Sequence, residues 1–165
     1  MEEITNELLN FQYPRNYQRK NIMDNDDKYY YGFVLGLVRS WAHADVKETG
    51  ADVRPCRRNS YIKYQKILQL AQHLAENHNV EYTSIQFNKN YKCRKHIDGN
   101  NVGESSIIGL GNYTGGELLV YYDGPDKPPT KIDIKGKFFK FNGSLYHHET
   151  ADFEGERHTL VYYSI

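Results

Sequence analysis

From Tyr82 onward the chain is a train of short runs rich in β-branched and aromatic residues, separated by glycine, proline, asparagine and aspartate. The runs are Tyr82–Asn88, Ile107–Gly111, Glu117–Tyr122, Thr130–Ile134, Lys137–Phe141 and His158–Ser164. Many short strands at such spacing close into a sandwich or barrel. Upstream, Tyr29–Arg39 is aromatic and β-branched enough to form another buried strand. Ser60 is placed to cap a helix running to about His78, with Ile67, Leu70, Ala71 and Leu74 on one face. A second, short helix is expected around Ile4–Leu9, and an acidic turn at Asp24–Asp27.

With a helix layered on the outside of the sheet, the expected architecture is mainly β with flanking helices, a double-stranded β-helix of the cupin-like jelly-roll type. A length of 165 residues suits one domain with one core. Residues 1–165 are read as a single domain, with the catalytic core at about 82–165 and a helix and strand support at 1–81. The stretch Ser40–Asn59 carries Gly, Pro and charge and reads as a long loop, and loops of that length are usually functional.

A net charge of +0 gives no global field that would draw the chain to nucleic acid or to an acidic membrane. The cysteines Cys56 and Cys93 form no metal-binding spacing and are expected to stay reduced. The first residues, MEEITNELLN, lack the apolar segment of a signal peptide, and no window has the length of a membrane span. The expectation is an intracellular monomer, cytoplasmic or nuclear, with no membrane partner.

His96 and Asp98 lie two positions apart, so on a strand both side chains point to one face and can take the same metal ion. A distant histidine from the pair His147-His148 would complete a facial triad, two histidines and a carboxylate that leave half of an iron's coordination sphere open. Counted back from Arg157, His148 begins His-x-Thr-x-x-Phe-x-Gly-x-Arg; counted forward from Phe141-Asn142-Gly143, His147 fits instead. Neighbours on a strand face opposite ways, so one of the two ligates. His148 is chosen because its span to Arg157 must keep metal and cosubstrate in register, and His147 is the alternative.

This order of motifs resembles that of the Fe(II)/2-oxoglutarate-dependent dioxygenases. The resemblance runs from about Gln86 to Ser164. Asn88-x-Asn90 through His96-x-Asp98, with Gly115-Gly116-Glu117-Leu118 beyond, is similar to two branches: the prolyl hydroxylases, and the ten-eleven-translocation and base-J-binding oxidases. The resemblance implies Fe(II) held by His96, Asp98 and His148 as the catalytic group, with 2-oxoglutarate as cosubstrate and dioxygen (O2) as oxidant. Substrate oxidation at a C–H bond is then coupled to decarboxylation of 2-oxoglutarate to succinate. The far carboxylate of 2-oxoglutarate needs a buried cation, and a guanidinium binds it with two parallel hydrogen bonds. Arg157 is the candidate, with Thr159 on the same face as a second donor and Asn88 beside them. Gln86, Asn90, Tyr82, Tyr91 and Tyr113 are further candidates for orienting cosubstrate or substrate.

Two basic, tyrosine-interleaved patches bear on the substrate: Arg54, Arg57, Arg58, Lys63 and Lys66, and then Lys89, Lys92, Arg94 and Lys95 just before the first ligands. Cations beside aromatic rings suit phosphates and stacked bases. A nucleic-acid base, a methylpyrimidine, is one expected substrate, and a protein side chain or free amino acid is the alternative. The remaining reading is a non-catalytic jelly-roll binding module.

Overall fold

The computed structural model of the chain describes residues 1–18, 22–23, 28–40 and 52–165. The expected acidic turn at 24–27 and residues 41–51 of the expected loop lie outside the described residues. The elements are α1 (Glu2–Asn10), β1 (Arg15–Asn16), β2 (Tyr30–Ser40), β3 (Asp52–Pro55), α2 (Ile62–Asn77), β4 (Ser84–Lys89), β5 (Ser105–Gly115), β6 (Leu118–Tyr121), β7 (Thr130–Ile132), β8 (Phe139–Phe141), β9 (His147–Thr150) and β10 (Phe153–Tyr163).

One sheet has the order β1-β2-β4-β10-β5-β8, with β3 added to β2, and a smaller sheet has the order β7-β6-β9. Every ladder is antiparallel. Strand alternation divides the larger sheet into two faces. Phe33 and Leu35 on β2, Ile85 and Phe87 on β4, and Leu160 and Tyr162 on β10 meet Ile67, Ala71 and Leu74 of α2 and Leu8 of α1 in the main core. Burying each of the large apolar side chains contributes about 1.5–3 kcal/mol. The residues between them, Val34, Gln86, Asn88, Arg157, Thr159 and Val161, face a cavity on the other side of the sheet. A second cluster, Ile107, Leu118, Val120, Ile134 and Phe141, joins the larger sheet to the smaller one.

Several local expectations differ from the structure. α2 begins one residue later than a Ser60 cap requires: Tyr61 is the N-cap and makes no side-chain capping bond. The Ser60 hydroxyl instead donates to the Arg57 carbonyl within a 3-10 turn, Arg57–Ser60. The expected loop Ser40–Asn59 contains β3, whose register pairs Leu37 with Pro55 and Arg39 with Val53. β5 and β10 are longer than their apolar cores because their polar outer halves pair with each other, from Phe153 opposite Gly115 to Arg157 opposite Gly111. Backbone ladders extend strands where side-chain alternation gives no sign of them.

Candidate metal centre and its cavity

His96 and Asp98 do not sit on a regular strand. The segment is extended but borrows its hydrogen bonds from two partners. His96 exchanges N–H···O bonds with His148, each 3.0 Å, and the Asp98 N–H donates to the Gly143 carbonyl at 2.8 Å. Extension preserves the alternation, so His96 and Asp98 face inward together while Ile97 is 39% exposed. Gly143 permits the close approach: a Cβ there would lie 3.3 Å from an Asp98 carboxylate oxygen and 3.2 Å from the His148 ring.

The structure brings His148, not His147, to this pair. One ligand atom from each of His96, Asp98 and His148 lies within 4.8 Å of the others. The Asp98 carboxylate spans both rings, with Oδ1 at 3.4 Å from His96 Nε2 and Oδ2 at 3.2 Å from His148 Nε2. Nδ1 of His96 is 2.6 Å from the Arg94 carbonyl and Nδ1 of His148 is 3.0 Å from the Tyr146 carbonyl. A carbonyl can only accept, so each Nδ1 donates its proton there and each Nε2 is the ring atom turned toward the carboxylate. Two imidazole nitrogens and a carboxylate converging on one point are the donor types that a divalent cation takes. Backbone anchoring of the far ring nitrogen is also how metal-bound histidines are held in orientation. The donor set therefore fits Fe(II), with His96, Asp98 and His148 as the residues that would hold it.

Arg157 is buried in the same cavity, 3% exposed. Its guanidinium donates to the Gly116 carbonyl from Nε and Nη2, at 3.2 and 2.9 Å, and more weakly to the Tyr91 carbonyl from Nη1. No carboxylate among the described residues forms an ion pair with it. Burial pulls the guanidinium below its ordinary pKa, and the Tyr113 hydroxyl opposes the shift. The rings of Tyr113 and Phe153 flank the cation at 5.7 and 5.4 Å. A buried cation with carbonyls, ring faces and a phenol around it and no described carboxylate in an ion pair with it is suited to the counter-charge that a dicarboxylate ligand supplies. Gly116 is glycine for the sake of this contact: its φ is +68°, and a Cβ would lie 2.6 Å from Arg157 Nε.

Thr159 is opposite Asn88 in the register of β10 with β4. A donor chain runs along this face: Gln86 Nε2 to Asn88 Oδ1 at 3.0 Å, then Asn88 Nδ2 to Thr159 Oγ1 at 3.3 Å. The Thr159 hydroxyl accepts here, which leaves its own hydrogen to donate into the cavity beside Arg157. Asn90 has a different role from the expected one. In the left-handed region at φ +49°, its side-chain oxygen accepts from the Arg157 N–H at 2.8 Å while its own N–H donates to the Arg157 carbonyl at 2.7 Å. It clamps the backbone that carries the guanidinium. Tyr82 packs edge-on against Tyr162, in the core on the other face of the sheet. Tyr91 lines the cavity, stacked on Tyr30 with centroids 4.4 Å apart.

The cavity encloses about 390 Å³. Part of its wall comes from Asn16, Tyr30, Val38 and Arg39, residues to which the sequence reading gave no role in the site. The alternation of Val34 and Val38 signals a second face on β2, but only the pairing of β2 with β4 makes that face a cavity wall. The basic patch before the ligands is largely occupied: Lys89 pairs with Glu156 at 3.5 Å, Lys92 with Asp152 at 2.5 Å, and Lys95 donates to the Pro125 carbonyl at 2.7 Å. In the other patch Lys66 pairs with Glu7 at 3.0 Å, while Arg54 and Arg57 are exposed. Cys56 and Cys93 form no disulfide among the described residues. No helix among the described residues is long and apolar enough to cross a membrane.

No protein-family model matches the chain, and no curated protein matches it in sequence. Solved structures do match it in fold. A 2OG-Fe(II) oxygenase family oxidoreductase from Burkholderia pseudomallei superposes with a TM-score of 0.60 at 15% identity, over 98% of this chain and 76% of that one. NgTET1, solved in complex with 5mC DNA, gives 0.56 at 21% identity, over 99% of this chain and 66% of that one. OsALKBH1 gives 0.55 at 12% identity, over 99% and 90%. The chain thus spans just under two thirds of the length of NgTET1. Two antiparallel sheets enclosing a cavity, with a His-x-Asp…His cluster inside it, give this chain the double-stranded β-helix fold found in the 2OG-Fe(II) oxygenases.

Proposed function

We propose that the chain is an Fe(II)- and 2-oxoglutarate-dependent oxygenase that oxidises a C–H bond. The observation that carries this reading is the juxtaposition, in one cavity, of a histidine–carboxylate cluster suited to a divalent metal and a buried guanidinium that forms no ion pair with a described carboxylate. Bound iron would supply the one-electron chemistry that lets O2 oxidise an unactivated carbon. The chain's own residues bind and orient. His96, Asp98 and His148 hold the metal; Arg157 and the Thr159 hydroxyl hold the far carboxylate of 2-oxoglutarate; Asn88 and Gln86 keep the Thr159 hydrogen pointed at it. The apolar wall of Val34, Ile107, Leu118 and Val161 excludes water from the space between.

The substrate reading placed first is a methylated pyrimidine base. NgTET1, which shares the fold, was solved with 5mC DNA, and the exposed Arg54 and Arg57 remain free of described carboxylate partners. A protein side chain or free amino acid is the second reading, favoured by the ion pairs that occupy Lys89 and Lys92 beside the ligand segment.

The test is an anaerobic titration with Fe(II) and 2-oxoglutarate, followed by a succinate assay on admitting oxygen with nucleic-acid and peptide pools. The expected result is a weak visible metal-to-ligand charge-transfer band and succinate release stimulated by one pool. No band and no stabilisation by 2-oxoglutarate would overturn the assignment. The ligand choice has its own check. His148→Ala is expected to lower metal affinity by roughly a hundredfold or more, since even the groups that orient ligands are worth ten- to a hundredfold. His147→Ala should leave it within about twofold, because that ring sits on the other side of β9; the reverse pattern in a Co(II) titration makes His147 the ligand.

A further inference from the structure

The cavity holds a second guanidinium that the cosubstrate does not use. Arg39 lines the cavity from the end of β2. Its Nε is shut off from solvent and has no hydrogen-bond partner among the described residues. It forms no ion pair with a carboxylate among the described residues.

Its position separates it from Arg157. The register pairs His158 with Lys89 and Lys89 with Tyr31, which sets Arg157 level with the beginning of β2. Arg39 lies near the other end of the same strand, beyond the row in which Gly36, Ser84 and Tyr163 are aligned. At about 3.3 Å per residue the register separates the backbones of the two arginines by most of the length of β2. Tyr163 and Ile165 line the Arg39 end, and the bond from the Val102 N–H to the Ser164 carbonyl, 2.8 Å, brings Asn100 and Asn101 there as well. Arg54 lies opposite Val38, on the same sheet face, and is exposed. The Arg39 end thus has a half-buried guanidinium whose Nε is shut off from solvent, neutral amides, the side chains of Tyr163 and Ile165, and a second arginine outside.

A shielded N–H of a permanent cation without an acceptor costs free energy unless a ligand brings the acceptor. We propose that the Arg39 end is the substrate's anchoring subsite and that it takes an oxyanion carried by the substrate, a carboxylate or a phosphate. A guanidinium suits both through paired N–H···O bonds. The Asn100 and Asn101 amides hydrogen-bond the polar atoms next to that anion. This deepens the oxygenase reading: with 2-oxoglutarate fixed at Arg157, a substrate tethered at Arg39 extends toward the metal cluster from a separate anchor. Both substrate readings carry such a group, an amino acid its carboxylate and a nucleotide its phosphate.

The test follows arginine Nε–H signals by NMR in the full chain saturated with 2-oxoglutarate and a diamagnetic divalent metal, titrated with inorganic phosphate and with acetate. The Arg39 signal, assigned by its loss in Arg39→Gln, is expected to shift saturably with at least one probe. Preference for phosphate identifies a phosphorylated substrate, and preference for acetate a carboxylate. Calorimetry should show the preferred probe bound about tenfold or more weakly by Arg39→Gln, the loss expected for a charge-assisted hydrogen bond. An Arg39 signal unmoved by both probes, or equal affinity in wild type and variant, overturns the subsite. The outcome is independent of turnover. If 2-oxoglutarate shifts the Arg157 Nε–H signal while both probes leave Arg39 unmoved, the subsite alone fails; if 2-oxoglutarate does not shift Arg157, the cosubstrate reading fails.

Discussion

Asp98→Ala is expected to lower divalent-metal affinity by more than a hundredfold and to abolish 2-oxoglutarate turnover while leaving the fold intact. The carboxylate lies between both imidazoles and is the only anion of the cluster. Without it, two imidazoles remain, and a two-histidine site holds Fe(II) far less well than the full triad; orienting groups alone are worth ten- to a hundredfold. The fold does not depend on the side chain. What ties this segment down is backbone: the Asp98 N–H to the Gly143 carbonyl and the His96 bridge to His148. Those backbone bonds persist without the carboxylate, so the apo protein is expected to keep a cooperative thermal melt. Co(II) absorption, a succinate assay and a thermal melt decide the matter together. Retained metal-dependent turnover would refute the triad, and a collapsed melt would mean that Asp98 is structural.

That one of the two neighbouring histidines joins the cluster was legible because a strand enforces alternation, and the span to Arg157 pointed to His148. The spacing His148-x-Thr-x-x-Phe-x-Gly-x-Arg157 sets His148 and Arg157 on adjoining strands, β9 and β10, with both side chains inward. The proximal pair was legible for a different reason from the one expected. His96 and Asp98 share a face because the segment is extended, although no strand partner runs along it. Asn90 and Tyr82 show where composition misleads. A polar residue near the ligands can serve the backbone, as Asn90 does from a left-handed conformation, and a tyrosine one turn outside a strand can belong to the opposite face. Arg39, Asn16 and Tyr30 were illegible because nothing local marks them. They become cavity wall only because β2 pairs with β1, which sets Asn16 opposite Tyr30, and with β4, which joins residues about fifty apart in sequence, such as Val34 and Gln86. Patterning reports which residues are buried, whereas long-range pairing decides what they are buried against.

Arg157→Met separates the cosubstrate assignment from the stability of the fold, since the two effects are expected to have different magnitudes. Truncating one partner of a buried, hydrogen-bonded charge pair costs about 2–5 kcal/mol, which corresponds to a loss of 2-oxoglutarate affinity of roughly thirtyfold to several thousandfold. Turnover at low cosubstrate should fall accordingly and recover in part at high cosubstrate, because the rest of the site, His96, Asp98 and His148 included, is unchanged. Without ligand the picture changes. The guanidinium is buried with carbonyl acceptors and no described carboxylate, so its desolvation is only partly offset. Methionine of similar length removes that cost and leaves the Gly116 carbonyl without its donors, two effects of opposite sign and about 1–3 kcal/mol each. Apo stability should therefore move little, while the stabilisation that 2-oxoglutarate confers on wild type disappears. Were Arg157 a structural residue, the apo melting temperature would drop and the ligand-induced rise would persist. A paired thermal-shift series, with and without 2-oxoglutarate at fixed metal, distinguishes the two before any substrate is known.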